Sequence, residues 1–369
     1  MIAVLSGGGT AGHINPALAL AEALIERGVD VRFAGTPQGR EADLVPAAGI
    51  PFQPFEATGF NRNHPATIVK AVRLMEKSTG AAKRWFAEIK PDVVVAFGGY
   101  VCLPVGNAAV KSHVPLVVHE QNSVMGMANK RLSAKADAVC LTYEHAAESV
   151  ADKSKVQVTG CPVRQSIFST TREEGRAALG IPEDARMLLV TGGSLGARHL
   201  NQALCTMKDE LLSRDDLYIV HVTGPKEIDS VTEAMALTPD QAERWRLIGY
   251  TNQMNACMAA ADAIVSRAGA SSLAEISARA IPAVLVPFPF ATGDHQTTNA
   301  RAYVDAGCAH MIADSEVETP EFKALVLELV DDPDLRASMT AAAKAQKTAD
   351  AARTLADIVE RVATTPSAK

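Results

Sequence analysis

Short apolar runs of four to six residues alternate with longer stretches of helical periodicity along nearly the whole 369-residue chain. In the first half the runs are IAVLS, VRFAG, PFQPF, VVVAF, LVVHE and AVCLT; in the second they are MLLVTG, YIVHVT, WRLIG, AIVSR, AVLVPF and AHMIA. Runs this short and this continuously apolar suit strands covered on both faces, and the stretches between them suit the crossover helices that parallel strands require. The pattern predicts an α/β protein of two doubly wound, Rossmann-like domains. The halves resemble each other: VLSGGGTAGHINPALALAEAL and LLVTGGSLGARHLNQALCTM are each strand, glycine turn and helix, offset by 185 residues.

The best boundary is VTGCPVR, where a final strand gives way to Gly160 and Pro162, so the first domain is expected over 1–163 and the second from 164. Charge divides with them: 16 basic and 14 acidic side chains before the boundary, 20 and 28 after it, and −6 overall, which argues against a nucleic-acid partner held by charge. The six cysteines lie far apart, which suggests neither a disulfide framework nor a zinc site and fits a reducing compartment. MIAVLSGGG opens on a strand with no basic leader, so export is not expected. The 18 uncharged positions 93–110 contain Gly98, Gly99, Pro104 and Gly106, and read as strand, glycine loop and helix, not as a membrane span.

Gly7 to Gly12 formally match G-x-G-x-x-G between a strand and a helix, where backbone N–H groups could surround an anion or the glycines could merely allow close packing. Neither Val31–Thr36 nor the equivalent Val222–Gly224 supplies the acid that a dinucleotide ribose needs, which disfavours NAD. A second loop, Phe97-Gly98-Gly99-Tyr100-Val101, ends another strand of the same half, so two such sites could converge on one diphosphate. In the second half, SRAGASSLAE reads as strand end, small-residue turn and helix start, aiming N–H groups, the hydroxyls of Ser271 and Ser272 and a helix dipole at whatever lies above, as suits a pyrophosphate. Glu275, one turn in, could accept from both ribose hydroxyls or simply complement the dipole.

The loops together, GGGTAGHINPALA, FGGYV, HEQNSVMGMANK, GCPVR, TGGSLGARHLN, SRAGASSLAEI and FPFATGDHQTTNA, resemble in order and spacing the bacterial MurG family of peptidoglycan N-acetylglucosaminyltransferases, from Met1 to about Val362. The resemblance implies the GT-B fold: two domains facing a cleft, with a C-terminal helix of about 350–365 returning to the first domain and 164–349 binding the donor. It implies inverting transfer of N-acetylglucosamine from UDP-N-acetylglucosamine to the muramoyl C4 hydroxyl of undecaprenyl-pyrophosphoryl-muramoylpentapeptide. Donor contacts are then expected from Arg164, Ser194, Tyr250, Thr251, Ser271, Ser272, Glu275, Gln296 and Asn299, with Glu275 on the ribose. Acceptor contacts are expected from Thr10, Gly12, His13, Tyr100, Glu120, Asn122 and Asn129, and catalysis from His13 and Asn122.

An inverting displacement needs a base and a cradle for the departing anion, and imidazole titrates near neutrality, so His13 is the leading base; the alternative is a structural histidine on the acceptor pyrophosphate or the helix start. No cofactor or metal is expected, because a helix N-terminus and Arg side chains can stabilise the leaving group. Departures from the family pattern are Ala11 in the first loop and Cys102-Leu103 after GGYV, either of which could reshape the acceptor pocket.

Between 62 and 90 lie Arg62, Lys70, Arg73, Lys77, Lys83, Arg84 and Lys90 against Glu76 and Glu88, interleaved with Ile68, Val69, Val72, Leu74, Met75, Trp85, Phe86 and Ile89. That stretch can lie on anionic inner-membrane lipid with Trp85 at the interface, or bury its stripe against the sheet. A prenyl-linked acceptor favours the first, and the resemblance implies peripheral attachment to the cytoplasmic face of the bacterial cell membrane, with room for other cell-wall synthesis or division proteins as partners. The competing functions are another GT-B glycosyltransferase, a UDP-sugar epimerase, or a non-catalytic nucleotide-sugar binding module.

Overall fold

The computed structural model describes every residue except 60–64, 194–195, 347–349 and 366–369, together with all side chains of the described residues except those at 65–70 and 292. The chain forms two units, Met1–Arg164 with Ala349–Lys369, and Gln165–Thr348.

The first unit is a seven-stranded parallel sheet: β1 Ile2–Ser6, β2 Asp30–Gly35, β3 Phe52–Pro54, β4 Val93–Ala96, β5 Leu116–Glu120, β6 Ala138–Leu141 and β7 Val156–Val158, in the order β3-β2-β1-β4-β5-β6-β7. The order reverses between β1 and β4, which pair in parallel with Ser6 beside Ala96, so the connections after them leave a crevice at their carboxyl ends. Successive side chains alternate between two cores, as the strand period of two dictates: Ala3, Leu5, Val93 and Val95 face one side, Val4, Val94 and Ala96 the other.

Helix Ala351–Thr364 belongs to this unit. Its Leu355, Ala356, Ile358 and Val359 recur on one face and are buried in the core that holds helix Ala11–Glu26. Asp350 caps its first turn through the Arg353 N–H, and Arg27 bridges to Asp357 and Glu360 at 2.7 Å each.

The second unit repeats the plan with six parallel strands: β8 Arg186–Thr191, β9 Leu217–Val222, β10 Trp245–Ile248, β11 Ala263–Ser266, β12 Ala283–Leu285 and β13 Ala309–Met311, ordered β10-β9-β8-β11-β12-β13. Its reversal falls between β8 and β11. The repeat seen in the sequence is thus a repeat of position: each copy supplies the strand on one side of its sheet's switch point and the helix after it.

Candidate functional site

In the first unit the two glycine loops meet because β1 and β4 are neighbours. The Gly8 N–H donates to the Gly98 carbonyl at 3.3 Å, and Gly99, at φ +87°, lies so close that a β-carbon on it would come within 2.5 Å of the Gly8 oxygen. His13, in the first turn of helix Ala11–Glu26, lies against Gly98; a β-carbon there would stand 2.9 Å from its Nε2 and 3.4 Å from the Asn129 amide nitrogen. The ring's Nδ1 is 2.9 Å from the Gly8 carbonyl, which can only accept, so Nδ1 carries the proton and Nε2 holds the lone pair. Thr10, the N-cap, makes no cap hydrogen bond and stands 3.5 Å from the same Nδ1.

The loop does not work as a plain anion cradle. Besides the Gly8 N–H, that of Gly9 is committed, donating at 3.2 Å to Glu41, a fully buried carboxylate that also accepts from the Thr36 N–H and hydroxyl at 3.0 and 2.6 Å. Sequence inspection for an acid stopped at the end of β2 and missed Glu41, five residues beyond Thr36 at the start of helix Glu41–Ala47.

Glu120 is 1% exposed and accepts from the Asn122 N–H and amide, the Gly126 N–H and the Asn129 amide at 2.9 to 3.2 Å. A carboxylate so occupied shapes the loop from 121 to 129. Asn129 is likewise buried, its amide nitrogen donating to Glu120 and the His119 carbonyl while its Oδ1 has no hydrogen-bond partner; Asn122 and Tyr100 remain accessible, Tyr100 with its ring over Gly59. Gly12 lies partly exposed in the same helical turn as His13. His119 donates from Nε2 to the Gly160 carbonyl at 3.0 Å and accepts from Gln121 on Nδ1, and burial pushes its pKa down to about 4, so it is a neutral tie. Cys102 fills space beneath the second loop, its thiol bonding to the Ser6 and Gly98 carbonyls, and braces that loop from below, while Leu103 is partly buried against the core.

In the second unit the turn after β8 is tight: β-carbons on Gly192 and Gly196 would meet the Ala197 nitrogen at 2.4 Å and the Thr223 oxygen at 2.3 Å. Ser194 lies outside the described residues. Helix Ala270–Arg279 follows β11 with Gly269 as N-cap and no side-chain cap, and Ser271, Ser272 and Glu275 are partly exposed on its first turns. The helices after the other switch-point strands, starting at Ala11, Cys102 and Arg198, lack a side-chain cap too. Helix starts left uncapped at a crevice leave donors for a ligand.

Gln296 Oε1 accepts from the Ala268 and Phe288 N–H groups at 3.1 and 2.9 Å, and Asn299 is fully buried with its amide toward the Ala268 carbonyl at 3.3 Å. Both hold the turn above β11. Arg164 closes the first unit's main segment and pairs with Glu22 within that unit at 2.8 Å. Tyr250 is 45% exposed beyond β10, beside Thr251, whose hydroxyl accepts from the Gln253 N–H. Arg267, which sequence reasoning passed over, is 7% exposed, ion-paired to Asp314 at 2.6 Å and bonded to the Val286 and Pro287 carbonyls, so it stabilises the end of β12. The Asp332-Pro333-Asp334 triplet is a helix cap, Asp332 accepting from the Asp334 and Leu335 N–H groups.

The basic stretch forms helix Pro65–Ile89. Phe86 is buried, and the partly buried Trp85 packs 5.6 Å from both Phe86 and Phe55, so part of its ring covers the core. Arg73, Lys77, Lys83, Arg84 and Lys90 are exposed, with Val72 among them; Arg62 lies outside the described residues, as do the side chains of Ile68, Val69 and Lys70.

Residues 3–141 match the glycosyltransferase family 28 N-terminal domain and 187–355 its C-terminal domain. The chain is 38% identical to the UDP-N-acetylglucosamine–N-acetylmuramyl-(pentapeptide) pyrophosphoryl-undecaprenol N-acetylglucosamine transferase of Desulforudis audaxviator, over 98% of this chain and 99% of that one. The crystal structure of Acinetobacter baumannii MurG is 29% identical and superposes with a TM-score of 0.73, covering 98% of this chain and 99% of its own. An S. aureus MnaA–UDP co-structure, 16% identical, shares the fold at a TM-score of 0.70 over 98% and 96% of the two chains. The chain therefore belongs to glycosyltransferase family 28 and, within it, to the MurG group that its loop motifs resemble.

Proposed function

We infer that this protein moves N-acetylglucosamine from UDP-N-acetylglucosamine to the muramoyl C4 hydroxyl of undecaprenyl-pyrophosphoryl-muramoylpentapeptide, inverting the anomeric centre, as a step of peptidoglycan synthesis. The observation that carries this is the near-full-length identity to a transferase of that name. In this reading His13 Nε2 takes the proton of the attacking hydroxyl, the oxygen bonds to the anomeric carbon, and UDP leaves with the electron pair of the broken bond. Asn122, Tyr100, Thr10 and Gly12 position the acceptor, while Glu120 and Asn129 hold the loop that carries Asn122. The uncapped start of helix Ala270–Arg279, with Ser271 and Ser272, receives the diphosphate as its charge grows, and Glu275 takes the ribose. Tyr250 and Thr251 flank the uracil, Gln296 meets the sugar, and Ser194 and Arg164 complete the donor set. The test is UDP release from UDP-N-acetylglucosamine and a short-chain lipid-linked muramoyl-pentapeptide. Release tied to formation of the disaccharide supports the reading; binding without release, or epimerised sugar nucleotide, would replace it.

The prenyl chain of that acceptor puts the reaction at a bilayer, and we propose peripheral attachment at the cytoplasmic face through the exposed basic groups of helix Pro65–Ile89. Among the described residues no helix is long and apolar enough to cross a membrane. Trp85 is partly buried against Phe55, so attachment rests mainly on charge and on the N-terminal part of that helix.

A further inference from the structure

We propose that Glu41 is a positioning residue for the transfer, acting on the His13 imidazole through a single peptide group, that between Gly8 and Gly9. The N–H of that peptide, on Gly9, donates to Glu41 Oε2 at 3.2 Å, and its C=O, on Gly8, accepts from His13 Nδ1 at 2.9 Å. Among the described residues no peptide bond is cis, so the two bonds leave opposite edges of one resonant plane, and negative charge on the N–H side polarises the carbonyl toward the histidine. In hydrolase triads an acid does this by touching the histidine directly, fixing the tautomer and stabilising the imidazolium. Here one peptide unit stands between them.

The carboxylate has a built place. Gly8, Gly35 and Gly39 each lack a left-handed φ that would require glycine, yet a β-carbon on them would come within 2.3, 2.5 and 2.2 Å of Glu41 side-chain atoms. Three turns thus give up side chains where Glu41 sits, and Thr36 holds its other oxygen through N–H and hydroxyl. A residue needed only to start helix Glu41–Ala47 would require none of this. The other charged or titratable groups nearby are Cys102 beneath the loops, whose thiol burial pushes up to about 11 so that it stays neutral; Glu120, one side chain removed through Asn129; and Arg40, preceding Glu41 in the chain.

The inference rests on His13 being the base, and the experiment separates the two. The pH dependence of kcat/KM for the lipid-linked acceptor at saturating donor is measured for the wild type, Glu41→Gln and His13→Asn. In Glu41→Gln the loss of negative charge is expected to move the acid limb to lower pH by roughly half a unit to one unit, with kcat down about tenfold and the donor KM unchanged. His13→Asn should abolish that limb. If the limb survives in His13→Asn, His13 is not the base; if it vanishes there but stays at its wild-type pH in Glu41→Gln, the base stands and the relay is overturned. Should Glu41→Gln not fold, Glu41→Asp, which keeps the charge but withdraws it from Gly9, carries the test. Nitrogen NMR of His13 should then show less of the Nδ1–H tautomer, and an unchanged tautomer with an unchanged limb overturns the proposal.

Discussion

The two units place a glycine turn at the same point of the same sheet and tie it down by different means. In the first, a buried carboxylate accepts a loop N–H and a histidine reads the other edge of that peptide. In the second, backbone presses on backbone at Gly192 and Gly196, the Gly193 N–H is satisfied by the Thr191 hydroxyl at 3.2 Å, and the nearby Glu227 is in a bidentate ion pair with Arg198. A carboxylate beneath the first turn favours an imidazolium, whereas the neutral ties of the second leave an uncapped helix start to face a diphosphate. In the proposed reading one architecture serves a proton acceptor in one half and a nucleotide in the other, and the difference lies in what holds the glycines.

The comparison breaks most sharply at the glycines themselves. Gly99→Ala puts a β-carbon on the Gly8 oxygen at a left-handed φ, so about 3 kcal/mol of stability and nearly all transfer should be lost; Gly193→Ala, at φ +79° with open space around it, should cost only about 1 kcal/mol in chemical denaturation. Next comes the acid that shapes the HEQN loop. Glu120→Gln replaces an acceptor of four donor contacts by a group with donors of its own, and an expected loss of about 2 kcal/mol should accompany a rise in acceptor KM while UDP binding stays normal.

Acid should expose a likeness between the units. His119 in the first and His221 in the second are buried and neutral, burial lowering their pKa to about 4 and about 3. The unfolded chain binds these protons below pH 6.5 and the folded one does not, so stability rises with pH between those limits. Each contributes about 1.4 kcal/mol per pH unit of acidification below 6.5, and replacing His221 by an apolar residue should flatten the slope by that amount. The smallest stability effect belongs to Lys83→Glu with Arg84→Glu, within about 0.5 kcal/mol of wild type, although binding to anionic vesicles should weaken by about 1 kcal/mol or more for each charge. Unaltered vesicle binding would leave those side chains as solvated surface.

Strand positions, the internal repeat and the sheet class were legible because fully buried parallel strands are continuous apolar runs, and because glycine turns punctuate them. The converging loops were legible too, once two of them ended strands of one half. Roles inside the site were harder to read for one physical reason. Glu41, Glu120, Asn129 and Asn299 are polar residues that face inward, and whether such a group touches ligand or backbone depends on partners far away in sequence, such as Gly9 for Glu41 and Ala268 for Asn299. Trp85 was only half legible: beside basic residues it resembles an interfacial aromatic, and Phe55, from beyond β3, covers part of its ring.

The division of labour is tested most directly by measuring kcat and donor KM side by side for His13→Ala and Glu275→Ala in the lipid-linked transfer assay. The account predicts a fall in kcat of about 10²- to 10⁴-fold with donor KM near wild type for the first, and a donor KM raised about tenfold or more for the second. A His13→Ala enzyme that keeps its kcat, or a Glu275→Ala enzyme that keeps its donor KM, would contradict it.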